Sequence, residues 1–472
     1  MTVNDFNLTQ QEKDMTYDLL ILGGGPAGFR AAERAGHFGL STAIFEGKAL
    51  GGVCLNEGCI PTKTMLYSAK LYDYAKGGAE KYGVSSKEAI LDHGLVVARK
   101  DKIVKKLVAG VEMQMKKAPA DVVRENAVLA GRNEAGEFVV EAGGERFAGK
   151  NVLIATGSSA AIPPIPGLRD AISNGTAVTN REILSMKGIP AKLVVMGAGA
   201  IGLEMASYFN SAGSDVTVVE MLDRIGGRID RDIAALLQRN YTVRGVKFLT
   251  GSRIESIEGG HIRGVKANGD GFELDADKIL VAAGRKPNVQ GIGLESLGIE
   301  LEVNSGIRTD ETMRTNVPGV FAAGDVNGIS MLAHTAYREA ETAINVIRGA
   351  EDKMRYDAIP SVIYTNPEAA SVGETEETAA EKGLDVKTVK LPLLFSGRYQ
   401  AENEGGNGIM KLVLDEGKHI LGACMLGNPA SEIIPAMAVA ITQHMTAAEL
   451  AQTVFPHPTV AEVLRDAALT EL

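Results

Sequence analysis

From residue 17 onward, apolar runs of strand length alternate with helical patterns. YDLLIL at 17–22 is such a run, GGGPAG follows it, and FRAAERAGHFG then has helical character. A second short run, STAIF, ends at Glu46. This succession predicts a βαβ unit. The same succession returns later: AKLVVM, then GAGAIG, then a helical LEMASYFNSAG, then DVTVV ending at Glu220.

The glycines fall at Gly23, Gly25 and Gly28 in the first unit, and at Gly197, Gly199 and Gly202 in the second. In Gly-x-Gly-x-x-Gly spacing the first glycine permits a tight turn. The second lets backbone N–H groups reach a pyrophosphate at the helix start, and the third lets helix and strand pack closely. In both units an acid lies 18 residues beyond the last glycine. A single fingerprint can be an ordinary glycine-rich turn, but two with equal spacing point to two dinucleotide sites and two nucleotide cofactors. Glu46 and Glu220 sit where a carboxylate hydrogen-bonds a ribose. A carboxylate also repels a 2′-phosphate, so Glu220 favours NAD over NADP. Arg224 and Arg228 lie nearby; their alternative reading is surface charge on a loop.

A chain of 472 residues suggests roughly three domains at about 150 residues each. The apolar content is 45%, ordinary for a globular protein, and the net charge of −10 argues against nucleic acid or an anionic membrane as partner. No apolar run is long enough for a membrane span. The start, MTVNDFNLTQQEKDMT, has neither a secretory signal's apolar core nor a transit peptide's Arg/Ser bias. It reads as a polar extension, and the expected location is the cytoplasm.

Of the three cysteines, Cys54 and Cys59 are five positions apart and Cys424 stands alone in ILGACMLG, reading as a small buried hydrophobe. This is neither a disulfide scaffold nor a four-cysteine metal site, and no metal is expected. Five residues of regular helix advance about 7.5 Å, whereas a disulfide needs Cα atoms within about 7 Å. A bridge here requires a distorted turn, for which Asn56 and Gly58 are suitable. A strained, exposed disulfide is readily reduced. The other reading is a pair of buried thiols.

The segment GGVCLNEGCIPTK at 51–63 resembles the redox-active segment of the flavoprotein disulfide reductases, and the dihydrolipoamide dehydrogenase group most of all. The resemblance continues through ATGS at 155–158, AAGRKPN at 282–288, FAAGD at 321–325, MLAH at 331–334, IPSVIYTNPEAASVG at 359–373 and HPTVAE at 457–462. It implies an α/β fold with two Rossmann-like domains, for FAD and NAD, plus a C-terminal α+β dimerisation domain. The expected divisions are an N-terminal extension at 1–14, an FAD domain at 15–157, an NAD domain at 158–284, completion of the FAD domain at 285–355 and the interface domain at 356–472. The proline-rich IPPIPG at 162–167 suits a hinge, and ASEIIPAMAVAITQHM is either an interface helix or an internal core helix.

By the same resemblance Cys54 is the thiol that meets the dithiol substrate and Cys59 the one against the flavin. His457 is the base, oriented by Glu462. The implied FAD contacts are Gly23, Gly25, Gly28, Glu46, Gly51, Gly52, Lys63, Thr156, Gly157, Asp325, Met331, Ala333 and His334. Those for NAD are Gly197, Gly199, Gly202, Glu204, Glu220 and Gly284, with Glu204 also holding Lys63. The activity implied is oxidation of dihydrolipoamide, carried on a lipoyl domain or carrier protein, by a homodimer that shares each active site between subunits. A 2-oxo acid dehydrogenase, acetoin dehydrogenase or glycine cleavage system would be the host. A glutathione-type or mercuric reductase is the alternative. Three positions depart from the family pattern: Phe455 where a second histidine is common, Val53 where threonine is common, and ENAVLAG, where no flavin-contacting glycine stands out.

Overall fold

The computed structural model describes residues 16–303 and 305–471. The expected extension at 1–14 lies outside them. The chain forms two compact units, each assembled from three separate stretches: residues up to Asn56, Lys105–Ser159 and Lys286–Met354 in the first, and Glu57–Val104, Ala160–Arg285 and Arg355 onward in the second.

In the first unit the predicted βαβ forms as strand Thr16–Leu22, helix Pro26–His37 and strand Thr42–Phe45. The two strands pair in parallel, with Leu20 opposite Ala43, and Thr16–Leu22 pairs in parallel on its other side with Glu145–Ile154. Both faces of this sheet are covered, so Leu19, Leu20, Ile21 and Ile44 are fully buried and the strands are continuously apolar rather than alternating. The antiparallel strands Phe138–Ala142 and Ala127–Arg132 extend the sheet beyond Glu145–Ile154. The ENAVLAG segment supplies the last of these strands. Strand Val320–Ala322, from the third stretch, pairs in parallel with Val152–Ile154 and completes the sheet. Helix Ala333–Ile347 packs on helix Pro26–His37, with the Phe29 and Tyr337 rings edge to face at 5.7 Å.

The second unit holds the repeated βαβ: strand Lys192–Met196, helix Ala200–Ser211 and strand Asp215–Val219, in a five-stranded parallel sheet. A second five-stranded sheet is antiparallel and comes from the C-terminal stretch. Ile363, Cys424 and Leu426 of that sheet share one apolar cluster with Leu193, Val195 and Tyr208. Lys411 is fully buried and ties the two parts together. Its Nζ lies 2.6 Å from Asp230, 2.9 Å from Asp232 and 2.8 Å from Glu376. Burial opposes its charge, but the three carboxylates outweigh that and hold the ammonium above its ordinary pKa. Helix Ala430–Thr442 buries Ile433, Ile434, Met437 and Ile441 against the antiparallel sheet, while Val439 faces outward. No helix among the described residues is long and apolar enough to cross a membrane.

Candidate active site

The two glycine-rich turns are built alike. Gly23 has φ +107° and Gly197 φ +102°, in the region where only glycine is unstrained. A Cβ at Gly28 would stand 1.8 Å from the Gly23 carbonyl oxygen, and one at Gly202 would stand 2.0 Å from that of Gly197. Both glycines are therefore required by the close approach of helix to turn. Each helix begins at a glycine N-cap, Gly25 or Gly199, with no side chain capping it. The first N–H groups are left to an external acceptor, and at Gly199 the space a Cβ would take is open. These are the features a pyrophosphate needs, and the residues fit a dinucleotide in both places.

The acids Glu46 and Glu220 are also placed alike. Glu46 accepts hydrogen bonds from the Gly24 and Lys48 amides, both at 2.9 Å. Glu220 accepts from the Ala198 amide at 2.6 Å and the Leu222 amide at 2.9 Å. Each carboxylate is fixed beside its turn with about half of its roughly four acceptor sites still available.

In the first unit Gly51 and Gly52 both take positive φ, and the Gly51 amide donates to the Gly24 carbonyl at 2.8 Å. A Cβ on Gly52 would stand 2.6 Å from Gly25 Cα, so this loop lies directly on the glycine-rich turn. Thr156 and Gly157 are held by Asn288, a residue the sequence reading missed although it ends the AAGRKPN motif. Thr156 Oγ1 donates to the Asn288 carbonyl at 2.8 Å, and the Asn288 amide donates to Gly157 at 2.9 Å. Ser158 donates its hydroxyl proton to Asp325. Asp325 follows Gly324, whose φ is +79°. Met331 is half-buried, and Ala333 and His334 open the helix that packs on Pro26–His37.

The cysteine segment is broken, as a bridge between Cys54 and Cys59 would require. Cys54 lies in the short helix Gly52–Glu57, and Cys59 begins helix Cys59–Asp73 after Gly58. Asn56 closes the first turn by donating to the Leu50 and Gly52 carbonyls at 3.1 and 2.9 Å. Both cysteines are half-buried, whereas Cys424 is buried and burial pushes its thiol pKa well up. One turn beyond Cys59, Lys63 Nζ contacts both Glu204 oxygens, at 3.0 and 2.8 Å. Glu204 is almost wholly buried and also accepts from the Tyr364 amide at 3.0 Å, while the ammonium sits 4.4 Å from the Tyr364 ring centre. Burial works against the Lys63 charge, but Glu204 outweighs it, and the pKa stands above the ordinary lysine value.

His457 and Glu462 form the pair expected of them. Nδ1 lies 2.9 Å from Oε1, and Oε2 accepts from the Thr459 amide at 2.7 Å. These contacts, the backbone one foremost, hold the Glu462 carboxyl below its ordinary pKa. The imidazole is 80% exposed, and among the described residues its hydrogen-bond partner is Glu462. Phe455 packs against the apolar cluster of the antiparallel sheet, which accounts for an apolar residue at that position. In the second unit, Gly284 takes φ +104° beside open space, and its carbonyl accepts from the Ala161 amide.

Two dinucleotide turns in one chain give electrons two carriers to pass between, and a cysteine pair gives them a route to sulfur chemistry. That combination defines an oxidoreductase working between a thiol–disulfide couple and nucleotide cofactors. Residues 17–340 match the family described as pyridine nucleotide-disulphide oxidoreductase, and residues 359–468 match its dimerisation domain; the chain belongs to this family. Its members work with FAD and a nicotinamide nucleotide, and this chain is an enzyme of that kind.

Among curated proteins it is similar to the dihydrolipoyl dehydrogenase of Mycoplasma pneumoniae, at 36% identity over 96% of this chain and 98% of the relative. It is 38% identical to dihydrolipoyl dehydrogenase 3 of Pseudomonas putida over 96% of this chain and 98% of the relative. Among solved structures it is similar to LpdA from Mycobacterium tuberculosis, with TM-score 0.86, 26% identity and coverage of 96% of this chain and 99% of the other. The HOCl-induced flavoprotein disulfide reductase RclA from Escherichia coli gives TM-score 0.83 at 26% identity, covering 96% and 99%.

Proposed function

We propose that this enzyme is a dihydrolipoyl dehydrogenase: it oxidises dihydrolipoamide to lipoamide while NAD⁺ becomes NADH with release of a proton. The observation that carries the substrate is near-full-length similarity to dihydrolipoyl dehydrogenases at 36–38% identity. In the oxidised enzyme Cys54 and Cys59 form a disulfide. One sulfur of the dithiol loses its proton to His457 and attacks Cys54, releasing Cys59 as thiolate. The second sulfur, its proton passing to the departing Cys54 sulfur, then displaces Cys54, leaving lipoamide, the Cys54 thiol and the Cys59 thiolate. Glu462, 2.9 Å from Nδ1, fixes the imidazole tautomer and ring orientation. A thiol of pKa about 8.5 is mostly protonated at neutral pH, so this base determines how much reactive thiolate exists.

FAD would supply a two-electron carrier between the reduced cysteine pair and NAD⁺. Gly23, Gly25, Gly28, Glu46, Gly51, Gly52, Thr156, Gly157, Asp325, Met331, Ala333 and His334 would hold it, with Lys63 at its ring. Gly197, Gly199, Gly202, Glu220 and Gly284 would hold NAD, and Glu204 orients Lys63. The enzyme works as a cytoplasmic homodimer in which His457 serves the partner's cysteines, and its substrate is a lipoyl domain of a multienzyme complex or carrier protein. The test is a panel of lipoamide, glutathione disulfide and mercuric ion, each with NADH and NADPH. Preferred turnover of lipoamide with NADH is expected, and preference for another acceptor would overturn the reading. Replacing Cys54 by serine should keep FAD bound and abolish lipoamide turnover.

A further inference from the structure

The loop after Glu220 carries positive charge at Arg224 and Arg228. Arg224 lies between two anchors. On one side the Leu222 amide binds Glu220 at 2.9 Å; on the other the Gly226 amide donates at 2.8 Å to the carbonyl of Ala198, within the glycine-rich turn. An arginine on a loop fastened in this way to the turn and its acid is placed to pair with a ribose 2′-phosphate. Its side chain is engaged elsewhere. Arg224 Nη1 lies 3.2 Å from Glu377 Oε1, and Arg231 Nε lies 3.3 Å from the same oxygen. Glu377 comes from helix Glu376–Glu381, far along the chain in the C-terminal stretch of the same unit. Its other oxygen, Oε2, is buried and has no hydrogen-bond partner among the described residues. A carboxylate with one oxygen shared by two guanidiniums and the other unsatisfied is poorly explained as a stabilising tie.

We propose that Glu377 is a second specificity-determining carboxylate for the nicotinamide cofactor. It is a positioning residue: it neutralises Arg224 and holds it off the 2′ position, so Glu220 meets a free 2′-hydroxyl and no cation rewards a 2′-phosphate. The proposal rests on the reading of the second glycine-rich turn as the NAD site.

The test is calorimetric binding of 2′,5′-ADP and 5′-AMP, which differ by one 2′-phosphate, to the holoenzyme. In Glu377→Gln the affinity ratio of 2′,5′-ADP to 5′-AMP should rise about tenfold, as one charge-assisted hydrogen bond becomes available. Adding Arg224→Gln should return the ratio to its native value, and Arg224→Gln alone should leave it there. A folded Glu377→Gln enzyme with an unchanged ratio overturns the proposal. So does a fall in 2′,5′-ADP affinity in Arg224→Gln alone, which needs no substitution at Glu377. Glu220→Gln separates the two levels of the argument. A raised ratio there with none in Glu377→Gln removes the proposal for Glu377 and keeps the site; no change in either removes both.

Discussion

Replacing Glu204 by glutamine isolates the charge of a buried ion pair while keeping its shape. Glu204 is 4% exposed and Lys63 32% exposed. Breaking a fully buried pair costs about 3–5 kcal/mol. Lys63 regains part of its hydration here, so a loss of about 2 kcal/mol is expected at pH 7. The glutamine still accepts from the Tyr364 amide, so the loss reports the charge. The pH dependence has a definite sign. The native Lys63 pKa is raised, so its contribution is complete below the unfolded lysine value and disappears as pH climbs through the folded one. In the variant burial is opposed only by the weaker attractions of Cys59 and Tyr364, so the pKa falls and the side chain becomes neutral earlier. The stability gap should therefore close between neutral and strongly alkaline pH. Scanning calorimetry of the holoenzyme at fixed scan rate, at pH 7 and pH 10, measures it, with a fall of several degrees expected at pH 7. An unchanged transition at pH 7, or a gap that widens with pH, would refute the reasoning.

Replacing His457 by glutamine should lower turnover by about 10²–10⁴-fold with FAD content unchanged, the usual worth of a positioned general base; a loss under threefold in steady-state assays points to another base. Gly202→Ala places a methyl 2.0 Å from the Gly197 carbonyl oxygen, so NADH affinity by fluorescence quenching should fall at least about fivefold, given the roughly 1–3 kcal/mol typical of overpacking. Asp352 accepts two hydrogen bonds from Arg338, which hold its pKa down to about 2. Its stabilisation is present above the unfolded value and lost as pH falls toward 2, so Asp352→Asn should cost about 1 kcal/mol at pH 6, after solvent screening, and nothing near pH 2, as read by acid unfolding.

The parts of the site governed by local spacing were legible in the sequence. The glycine turns, the acids that follow them and the His457–Glu462 pair each depend on residues close enough for one motif to contain them or for one interval to repeat. Contacts set by tertiary packing were not legible. Nothing around Tyr364 indicates that its amide completes the Glu204 site, and nothing in AAGRKPN shows Asn288 binding Thr156 and Gly157. Lys411 lies in a run that reads as an ordinary strand, IMKLVL; its burial appears once Asp230, Asp232 and Glu376 are brought around it. The cysteine segment falls between these cases. A bridge between the cysteines would need a break in the helix, and Gly58 supplies one, but the hydrogen bonds by which Asn56 holds the preceding turn belong to the folded backbone.

The split assembly of the first unit sets the order of events during synthesis. Strand Glu145–Ile154 leaves the ribosome long before Val320–Ala322, the strand that pairs with its Val152–Ile154 end. At about 5–20 residues per second the interval is roughly 10–30 s. During that time one edge of a buried sheet is without its partner, a template for pairing with other nascent chains. Asp325 and the helix opening at Ala333 arrive later still. On the proposed assignment, flavin capture is therefore a late event in the life of the nascent polypeptide, and cells making this protein quickly should accumulate an aggregation-prone apo form when riboflavin is scarce.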